Sequence, residues 1–311
     1  MALRMEQKAI QKGMVEVVKL AGMELAGNFG DKERAAILIK RQGNESSIRM
    51  DREIENLISK ELRKRGVLVN LLSEESGRMI VSCGLDYLIC IDPICGSMNY
   101  RSGSPYFCVS MALLKNYEPV FGVVHSPMTS ETFTAAIGKG AKLNGQKIHS
   151  GAGRLIALDN AHLFPNFIFE EATARNPKFS VVAPWSVALN LCYVASGRYA
   201  ASLSSNSMPW DFAAGMLVAM EAGAKVTDQN GSRISFEDMI LTDPYVAHGH
   251  LMRTPNEKFR DYTVIAAQKK INSKLLRALI RDITEINVGN ANLYKTEIGI
   301  LDDGKDIWMT R

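Results

Sequence analysis

The sequence predicts a mixed α/β fold, because helical and strand-like patterns alternate along its 311 residues. Apolar residues recur at helical spacing in residues 5–26 and again after Asp51. Short runs rich in Val, Ile and Leu follow, and turn residues end them. At 46% hydrophobic and 23% charged, the chain can bury a full core as one large domain or two intimate lobes.

Charge and composition narrow the class of protein. The formal net charge of +4 is spread along the chain without a dense Lys/Arg block, which argues against nucleic acid or a membrane surface as partner. No apolar run approaches the roughly 18 to 20 residues of a membrane span, and the N-terminus lacks a signal-peptide core. We therefore expect a cytoplasmic protein. Five cysteines without paired spacing are expected to be reduced and mostly buried: Cys83, Cys90, Cys95, Cys108 and Cys192.

Acidic residues mark the ends of predicted elements in the first third of the chain. A charged hairpin is predicted at 28–49, and the next helix begins at Asp51, whose ordinary role would be capping. The predicted strand at 67–72 runs into Glu74 and Glu75. Adjacent carboxylates repel each other unless a cation or solvent is nearby, so the pattern indicates either an exposed acidic turn or a metal site.

The chain is organised around an apolar run from Tyr87 to Ile91, which is expected to end at Asp92-Pro93. The turn Cys95-Gly96-Ser97 follows at once. In α/β sheets ligands collect outside the carboxyl ends of strands, and two hard oxygen ligands there suit Mg²⁺. Together with Glu74, this stretch therefore predicts a site for a metal and a phosphate.

The rest of the chain is predicted to continue the sheet and add two packing helices. The first helix covers 186–197, and Asp211 stands in the first turn of the second, where capping is again the ordinary interpretation. Strand-like segments and a tight turn are predicted at 106–114, 119–124, 131–136 and Asn144-Gly145.

The ordered motifs together resemble the inositol monophosphatase family of metal-dependent phosphatases over about residues 5 to 252. They are Glu74-Glu75, Asp92-Pro93-Ile94-Cys95-Gly96-Ser97-x-Asn99-Tyr100, Gly140-Ala-x-x-Asn144-Gly145, Trp210-Asp211-x-Ala-Ala-Gly215 and Glu221-Ala-Gly223-Ala. Each motif alone is weak, but their order and spacing are specific.

The resemblance implies a layered αβαβα sandwich of the inositol monophosphatase and fructose bisphosphatase type, usually a homodimer, that hydrolyses small phosphate monoesters with Mg²⁺. An N-terminal α+β lobe at 1–150 would carry the metal and phosphate motifs, and a C-terminal α/β lobe at 151–254 would contribute Asp211. Residues 255–311 would form an extension of unknown role.

The resemblance also implies a set of metal ligands. Glu74, Asp92 and the Ile94 carbonyl match the first metal position, and Asp92, Cys95 and Asp211 match the second.

It further implies that Asp51 and Ser97, with Glu74, act on the attacking water. Backbone N–H groups at Gly96 and Ser97 would hold the phosphate, a role that oriented amides at a turn support independently.

The chain departs from the family pattern at Cys95, where the family has Asp. Mg²⁺ demands hard oxygen ligands, whereas a thiol is soft and suits Zn²⁺. We expect a weakened second metal position and, by analogy with a lost electrostatic contact, a rate loss of about a hundredfold or more. Ser97 for Thr is mild because the hydroxyl remains.

A second departure concerns the substrate. Ser204 stands where inositol-selective members carry a glutamate that binds sugar hydroxyls, so the resemblance does not imply inositol specificity, and another sugar phosphate or a nucleotide phosphate stays open as the substrate. Ser186 and Asp211 match substrate-lining positions, although a small residue such as Ser186 is ordinarily explained by packing.

Three hypotheses follow. The protein is a Mg²⁺-dependent phosphomonoesterase acting on a small phosphorylated sugar or polyol, with Mn²⁺ as an alternative ion. Or it binds a phosphorylated ligand without significant turnover, or it uses Zn²⁺ through Cys95. His248 and His250 are expected to lie in a solvated loop, and His125 to be a satisfied edge residue.

Overall fold

The computed structural model describes residues 2–40, 46–79, 87–151, 153–159, 179–205, 207–228, 231–242 and 264–268. Six helices are described: α1 (Ala2–Gly27), α2 (Arg49–Lys64), α3 (Ser97–Arg101), α4 (Val187–Ala195), α5 (Pro209–Glu221) and α6 (Phe236–Thr242). The strands of the first half are β1 (Ile37–Lys40), β2 (Ser46–Ile48), β3 (Asn70–Ser73), β4 (Gly77–Met79), β5 (Tyr87–Cys95), β6 (Cys108–Lys115), β7 (Glu118–Ser126), β8 (Glu131–Ala136), β9 (Ala141–Leu143) and β10 (Gln146–Ile148). Those of the second half are β11 (Leu155–Asp159), β12 (Ser180–Val182), β13 (Tyr199–Ser204), β14 (Lys225–Thr227) and β15 (Val264–Ala267).

An eight-stranded sheet dominates the first half, with strand order β10-β9-β8-β7-β6-β5-β3-β4. The strands predicted at 106–114 and 119–124 are the neighbours β6 and β7, and the Asn144-Gly145 turn joins β9 to β10. Strands β3 and β5 run parallel, so their carboxyl ends meet at one edge of the sheet. That edge is where Glu74 and Asp92 were predicted to lie together.

The central strand is longer than predicted. Strand β5 passes through Asp92-Pro93 and reaches Cys95, and each of its residues is buried. Asp92 is in register with Ser110 and Cys95 with Cys108, so two residues of β5 face one of β6 in a bulge. The bulge accommodates a proline, which lacks a backbone donor, inside a sheet; the expectation that Pro93 ends the strand was therefore wrong.

The second sheet has five strands in the order β12-β11-β13-β15-β14. Strand β15 lies between β13 and β14 and pairs antiparallel with both. It comes from the segment 255–311 that was predicted to be an extension of unknown role, and Val264–Ala267 of that segment belongs to the second sheet. Val264–Ala267 is a short, fully buried strand without polar alternation, and such a run gives no period-2 signal.

Helices and sheets form alternating layers, which confirms the predicted mixed, layered α/β fold. Helices α1 and α2 pack on one face of the first sheet, and α5 packs on the other. Helix α4 lies against α5 and against β13 of the second sheet. The two hydrophobic cores are consequently separated by the first sheet, and α4 and α5 join the sheets to each other.

Other expectations are partly covered by the described residues. Cys90, Cys95, Cys108 and Cys192 are free and buried, whereas Cys83 lies outside the described residues. His248 and His250 also lie outside them. His125 is buried, and its Nδ1 contacts the carbonyl of Glu131 at 3.1 Å, so it is satisfied as expected. It is not an edge residue, because β7 lies between β6 and β8 and His125 pairs with Val109 and Thr132. Within the described residues, no helix is both long enough and apolar enough to cross a membrane.

Candidate active site

Four acidic residues from separate elements share one electrostatic environment. They are Asp51 of α2, Glu74 after β3, Asp92 of β5 and Asp211 of α5. Burial raises the pKa of Glu74 well above its usual value, and the charges of Asp92, Asp51, Glu75 and Asp211 raise it further. The structure therefore brings together carboxylates that are far apart in the chain, from Asp51 to Asp211.

Two of these carboxylates also cap helices. Asp51 and Asp211 are each the third residue of their helix. Each accepts a hydrogen bond from the backbone N–H of the residue that comes just before the helix. The Ile48 N–H lies 2.9 Å from Asp51 Oδ2, and the Met208 N–H lies 2.6 Å from Asp211 Oδ2. The N-cap residues are Ile48 and Met208, so Asp51 is not itself the N-cap that the sequence favoured. Asp51 and Asp211 cap their helices from the third helical position, as in a capping box.

The turn that carries Glu74 is held partly by Glu55 and Ser47, which the sequence patterns did not single out. Glu55 of α2 is 4% exposed and accepts hydrogen bonds from the hydroxyls of Ser73 and Ser76. It also accepts the Ser76 N–H at 3.2 Å. Glu75 accepts the Ser47 hydroxyl at 2.6 Å. The only sequence signal for Glu55 is a carboxylate on the apolar face of α2, one helical turn after Asp51.

Asp92 is, with Asp51, one of the two most enclosed members of the cluster. Its side chain is 2% exposed, and Oδ1 accepts no hydrogen bond from any described residue. Burial, followed by Cys95 and the charge of Asp211, raises the pKa of Asp92 well above its usual value. The bulge frees Ile94 from regular pairing with β6, which is how a bulge re-aims backbone groups next to a site.

The Gly96-Ser97 turn beside Asp92 admits only glycine at its first position. Gly96 has φ 99°, and a Cβ there would lie 3.0 Å from the Tyr106 carbonyl oxygen and 3.1 Å from that of Trp185. Ser97 begins α3 and is half-buried. The backbone therefore approaches its neighbours closely at the point where the sequence predicted a phosphate.

Cys95 faces the core and α4. Its Sγ accepts the Ala188 N–H at 3.4 Å, and its carbonyl oxygen accepts the Ser186 hydroxyl at 2.9 Å. A hydrogen bond with Cys108, followed by burial, raises the pKa of the Cys95 thiol well above its usual value. The group in the place of the family's carboxylate is therefore a neutral thiol.

The two predicted substrate-binding serines are buried. Ser186 is 1% exposed and ties the amino end of α4 to the backbone of Cys95. Ser204 is 1% exposed, and its hydroxyl lies 2.8 Å from that of Ser207. A substrate role for either residue stays a prediction.

The donor chemistry of the cluster suits one hard divalent cation better than two. Among the described residues, no three His, Cys, Asp or Glu side chains are arranged as a ready-made metal site. The first predicted position nevertheless has oxygen donors alone, including the buried Asp92 oxygen that accepts no hydrogen bond. A cation would relieve the repulsion that raises these pKa values. The second predicted position includes the neutral thiol of Cys95 and fits Mg²⁺ poorly.

Comparison with known proteins decides the family. A model of the inositol monophosphatase family matches residues 6–285. The chain belongs to the inositol monophosphatase family. The match extends past the end of the resemblance that the motifs alone indicated, and it includes β15.

Relatives and solved structures agree with this membership. The chain is 32% identical over 236 residues to an inositol-1-monophosphatase of Rhizobium meliloti, which covers 73% of this chain and 88% of that protein. It is 32% identical over 214 residues to a fructose-1,6-bisphosphatase/inositol-1-monophosphatase of Thermotoga maritima, covering 67% and 81%. The crystal structure of the extragenic suppressor protein suhB from Bartonella henselae superposes with a TM-score of 0.70 at 28% identity, over 87% of this chain and 98% of that one. These relatives support a phosphatase function.

Proposed function

We propose that this protein is a Mg²⁺-dependent phosphomonoesterase acting on a small phosphorylated sugar or polyol, with a weakened second metal position. The observation that carries the proposal is the convergence of Asp51, Glu74, Asp92 and Asp211 on one environment, in which burial and the neighbouring carboxylates raise the pKa values of Glu74 and Asp92. Buried carboxylates with strongly raised pKa values cluster at functional sites, where they bind a cation or take part in a reaction. The phosphatase relatives point to the same chemistry.

Each residue has a defined part in this proposal. Glu74, Asp92 and the Ile94 carbonyl would hold the first ion, and Asp92 and Asp211 would supply the remaining carboxylates of the second position. A bound divalent ion offsets developing negative charge during phosphoryl transfer. The backbone N–H groups of Gly96 and Ser97 bind the phosphate oxygens, and Asp51 and Ser97 orient the attacking water.

A second candidate function is binding of a phosphorylated ligand without significant turnover. The buried, neutral thiol of Cys95 favours it, because a missing carboxylate weakens the second metal position while it leaves the Gly96-Ser97 turn intact. A variant of the first proposal is a phosphatase that uses Zn²⁺, because the thiol of Cys95 suits a softer ion than Mg²⁺.

The two candidates are separated by assaying a panel of phosphate esters with Mg²⁺, Mn²⁺ and Zn²⁺, on the natural protein and on Cys95→Asp. We expect Cys95→Asp to raise Mg²⁺-dependent turnover by about tenfold or more, since a restored preorganised charge contact is worth about a hundredfold or more. Equal turnover of the two proteins contradicts the weakened second position. Asp92→Asn is expected to abolish turnover, and full activity of that variant removes the metal assignment altogether. Binding of an ester without hydrolysis by any of the proteins supports the second candidate.

A further inference from the structure

A cavity of about 330 Å³ lies between α1 and the turn that joins β7 to β8. One face of α1 lines it, through residues spaced i, i+3, i+4 and i+7: Lys19, Gly22, Met23 and Ala26. The facing wall includes His125 and Pro127. None of the lining residues is one of the four acidic residues of the candidate active site, so the cavity is a separate place in the molecule. Its volume is at the lower end of the range for small-molecule sites.

His125 presents a hydrogen-bond acceptor to this cavity. The side chain is only 9% exposed, and its Nδ1 lies 3.1 Å from the Glu131 carbonyl oxygen and 3.0 Å from Thr132 Oγ1. A carbonyl oxygen can only accept, so this contact assigns the proton to Nδ1. Burial, and to a smaller extent the charge of Lys19, lowers the pKa of the ring against the opposing effect of the Glu131 contact. The ring is therefore neutral at pH 7, and Nε2 carries a lone pair.

The Nε2 edge of the His125 ring faces α1. A Cβ at Gly22 would lie 2.7 Å from Nε2 and closer still to Cδ2, so only glycine leaves room for the ring there. Glycine inside a helix is destabilising relative to alanine, and the space that the ring needs explains its use at this position. Nε2 makes no hydrogen bond with any residue of the described ranges, although the side chain is nine-tenths buried.

Lys19 adds a positive charge to the same wall. Its side chain is exposed, and it forms no ion pair with another described residue. Asn144 also lines the cavity, but its amide group accepts the Thr132 N–H at 2.8 Å and donates to the Ser130 carbonyl at 3.2 Å. Met23 contributes apolar surface, since it is 70% exposed. The cavity therefore offers a ligand one cation, one acceptor nitrogen and an apolar wall.

We propose that this cavity binds a small hydroxycarboxylic acid, whose carboxylate pairs with Lys19 and whose hydroxyl donates a hydrogen bond to His125 Nε2. One negative charge matches the one cation, and one O–H donor matches the one acceptor. The carbon chain lies against Met23. An amino acid would place a second ammonium group beside Lys19, and a phosphate dianion would meet the lone pair of Nε2 without a proton to donate.

Three probes of equal chain length test each part of the ligand: lactate, propionate, which lacks the hydroxyl, and 1,2-propanediol, which lacks the carboxylate. The natural protein is titrated in metal-free buffer, and saturation transfer to the ligand protons is measured by NMR. We expect lactate to bind with a Kd of about 1 to 10 mM, as suits so small a molecule. Propionate and 1,2-propanediol should each bind about five- to tenfold more weakly. No binding of lactate, or equal affinities for lactate and propionate, would overturn the inference.

Lys19→Gln should weaken lactate binding by about tenfold and leave 1,2-propanediol unchanged. Lys12→Gln is the matched control, because Lys12 is an exposed lysine of the same helix, about 10 Å along its axis from Lys19. Its ion pair with Glu16 at 3.9 Å is exposed, and such pairs contribute little to stability. Equal losses of lactate affinity in the two variants would contradict a site at Lys19.

The position of the bound probe is read from the five histidines of the chain after labelling with ¹⁵N. The Nε2 signal that is missing from His125→Gln belongs to His125, and lactate should shift this signal with the same Kd that saturation transfer gives. Shifts confined to other histidines place lactate elsewhere and refute the assignment. The comparison of Lys19→Gln with Lys12→Gln does not need His125→Gln to fold, so it decides the matter if that variant is unstable.

Discussion

Asp159 illustrates how one buried residue sets the pH dependence of stability. Burial raises its pKa to about 7 from 3.8, although the hydrogen bonds from Trp185 and Asn190 act in the opposite direction. Because the pKa is higher in the folded state, the unfolded chain loses this proton first. The contribution of Asp159 is fully present below about pH 4 and declines as the pH rises through about 7, by up to about 4 kcal/mol.

This prediction is tested by urea unfolding of the natural protein and of Asp159→Asn at pH 5 and pH 8. The natural protein should lose stability between the two values, and the variant should lose less. The introduced amide would meet two N–H donors with one oxygen, so the variant is also less stable at pH 5. An identical pH dependence in the two proteins would assign the titration to other groups.

The sequence pointed to the acidic residues of the candidate site, but it did not predict the contacts that those residues and their neighbours make. The acidic residues at strand ends and helix starts were visible in the sequence, because capping and strand-end positions have local signatures. The contact of Cys95 with Ala188 and Cys108 was not visible, since it joins β5 to α4 and β6 across the core. The buried hydroxyl bond from Ser186 to the Cys95 carbonyl was hidden for the same reason.

At the scale of an element, the turn between β5 and α3 should tolerate no side chain at Gly96. Alanine there must adopt φ 99° and also approach the Tyr106 and Trp185 carbonyl oxygens to about 3 Å. Gly103 provides the matched control, because it has φ 75° but nothing within 4 Å of its missing Cβ. We expect Gly103→Ala to cost about 1 kcal/mol and Gly96→Ala about 1 to 3 kcal/mol more.

Chemical denaturation gives both stabilities, and titration with inorganic phosphate adds a functional readout. Gly96→Ala should also weaken phosphate binding, whereas Gly103→Ala should not. Equal stability losses would mean that the carbonyl groups move aside at no cost, and the turn would then not be the rigid element described above.

The Glu55 contacts make α2 a support for the turn that presents Glu74. Glu55→Gln keeps the shape but removes the negative charge and replaces one acceptor oxygen by an NH2 group, so we expect a stability loss of about 1 to 3 kcal/mol. Displacement of Glu74 should lower kcat by about tenfold. Glu53→Gln on the same helix is the control: its ion pair with Arg34 at 3.3 Å is exposed, and such pairs are worth about 0 to 1 kcal/mol.

Both variants are compared by denaturant unfolding and by steady-state kinetics at saturating metal. If Glu55→Gln lowers stability and leaves kcat unchanged, Glu55 supports the fold without positioning Glu74.

Helices and strands with a strong hydrophobic period were predicted well. Strands whose length or position depends on pairing with neighbouring strands were not. The prediction of a helix at 5–26 and strands at 106–114 and 119–124 needed only local patterns. The passage of β5 through Pro93 depends on a bulge against β6, and β15 depends on a slot between β13 and β14. Neither the bulge nor the pairing of β15 with its neighbours can be predicted from the sequence of the strand alone.

At the scale of the whole molecule, the site depends on the spacing of layers. Asp92 belongs to the first sheet, while Asp211 belongs to α5, which is clamped between that sheet and α4. A Cβ at Gly122 of β7 would lie 2.8 Å from the Ala214 carbonyl oxygen of α5. The distance between the two carboxylates is therefore set by small residues where the layers touch, away from the carboxylates themselves.

This dependence predicts that Gly215→Ala will damage the site from a distance. The added methyl would lie 2.8 Å from the Ala188 carbonyl oxygen and 2.9 Å from Leu191 Cβ, so α5 must move away from α4. We expect a stability loss of about 1 to 3 kcal/mol from overpacking, and a fall in kcat of about tenfold or more because Asp211 moves with its helix. Gly27→Ala, with nothing within 4 Å of its missing Cβ, should change neither quantity by a comparable amount. Kinetics measured well below the Tm of Gly215→Ala separate the two effects. A normal kcat in a destabilised protein would show that Asp211 keeps its place when α5 is displaced, and the proposed link between layer spacing and the carboxylate cluster would have to be given up.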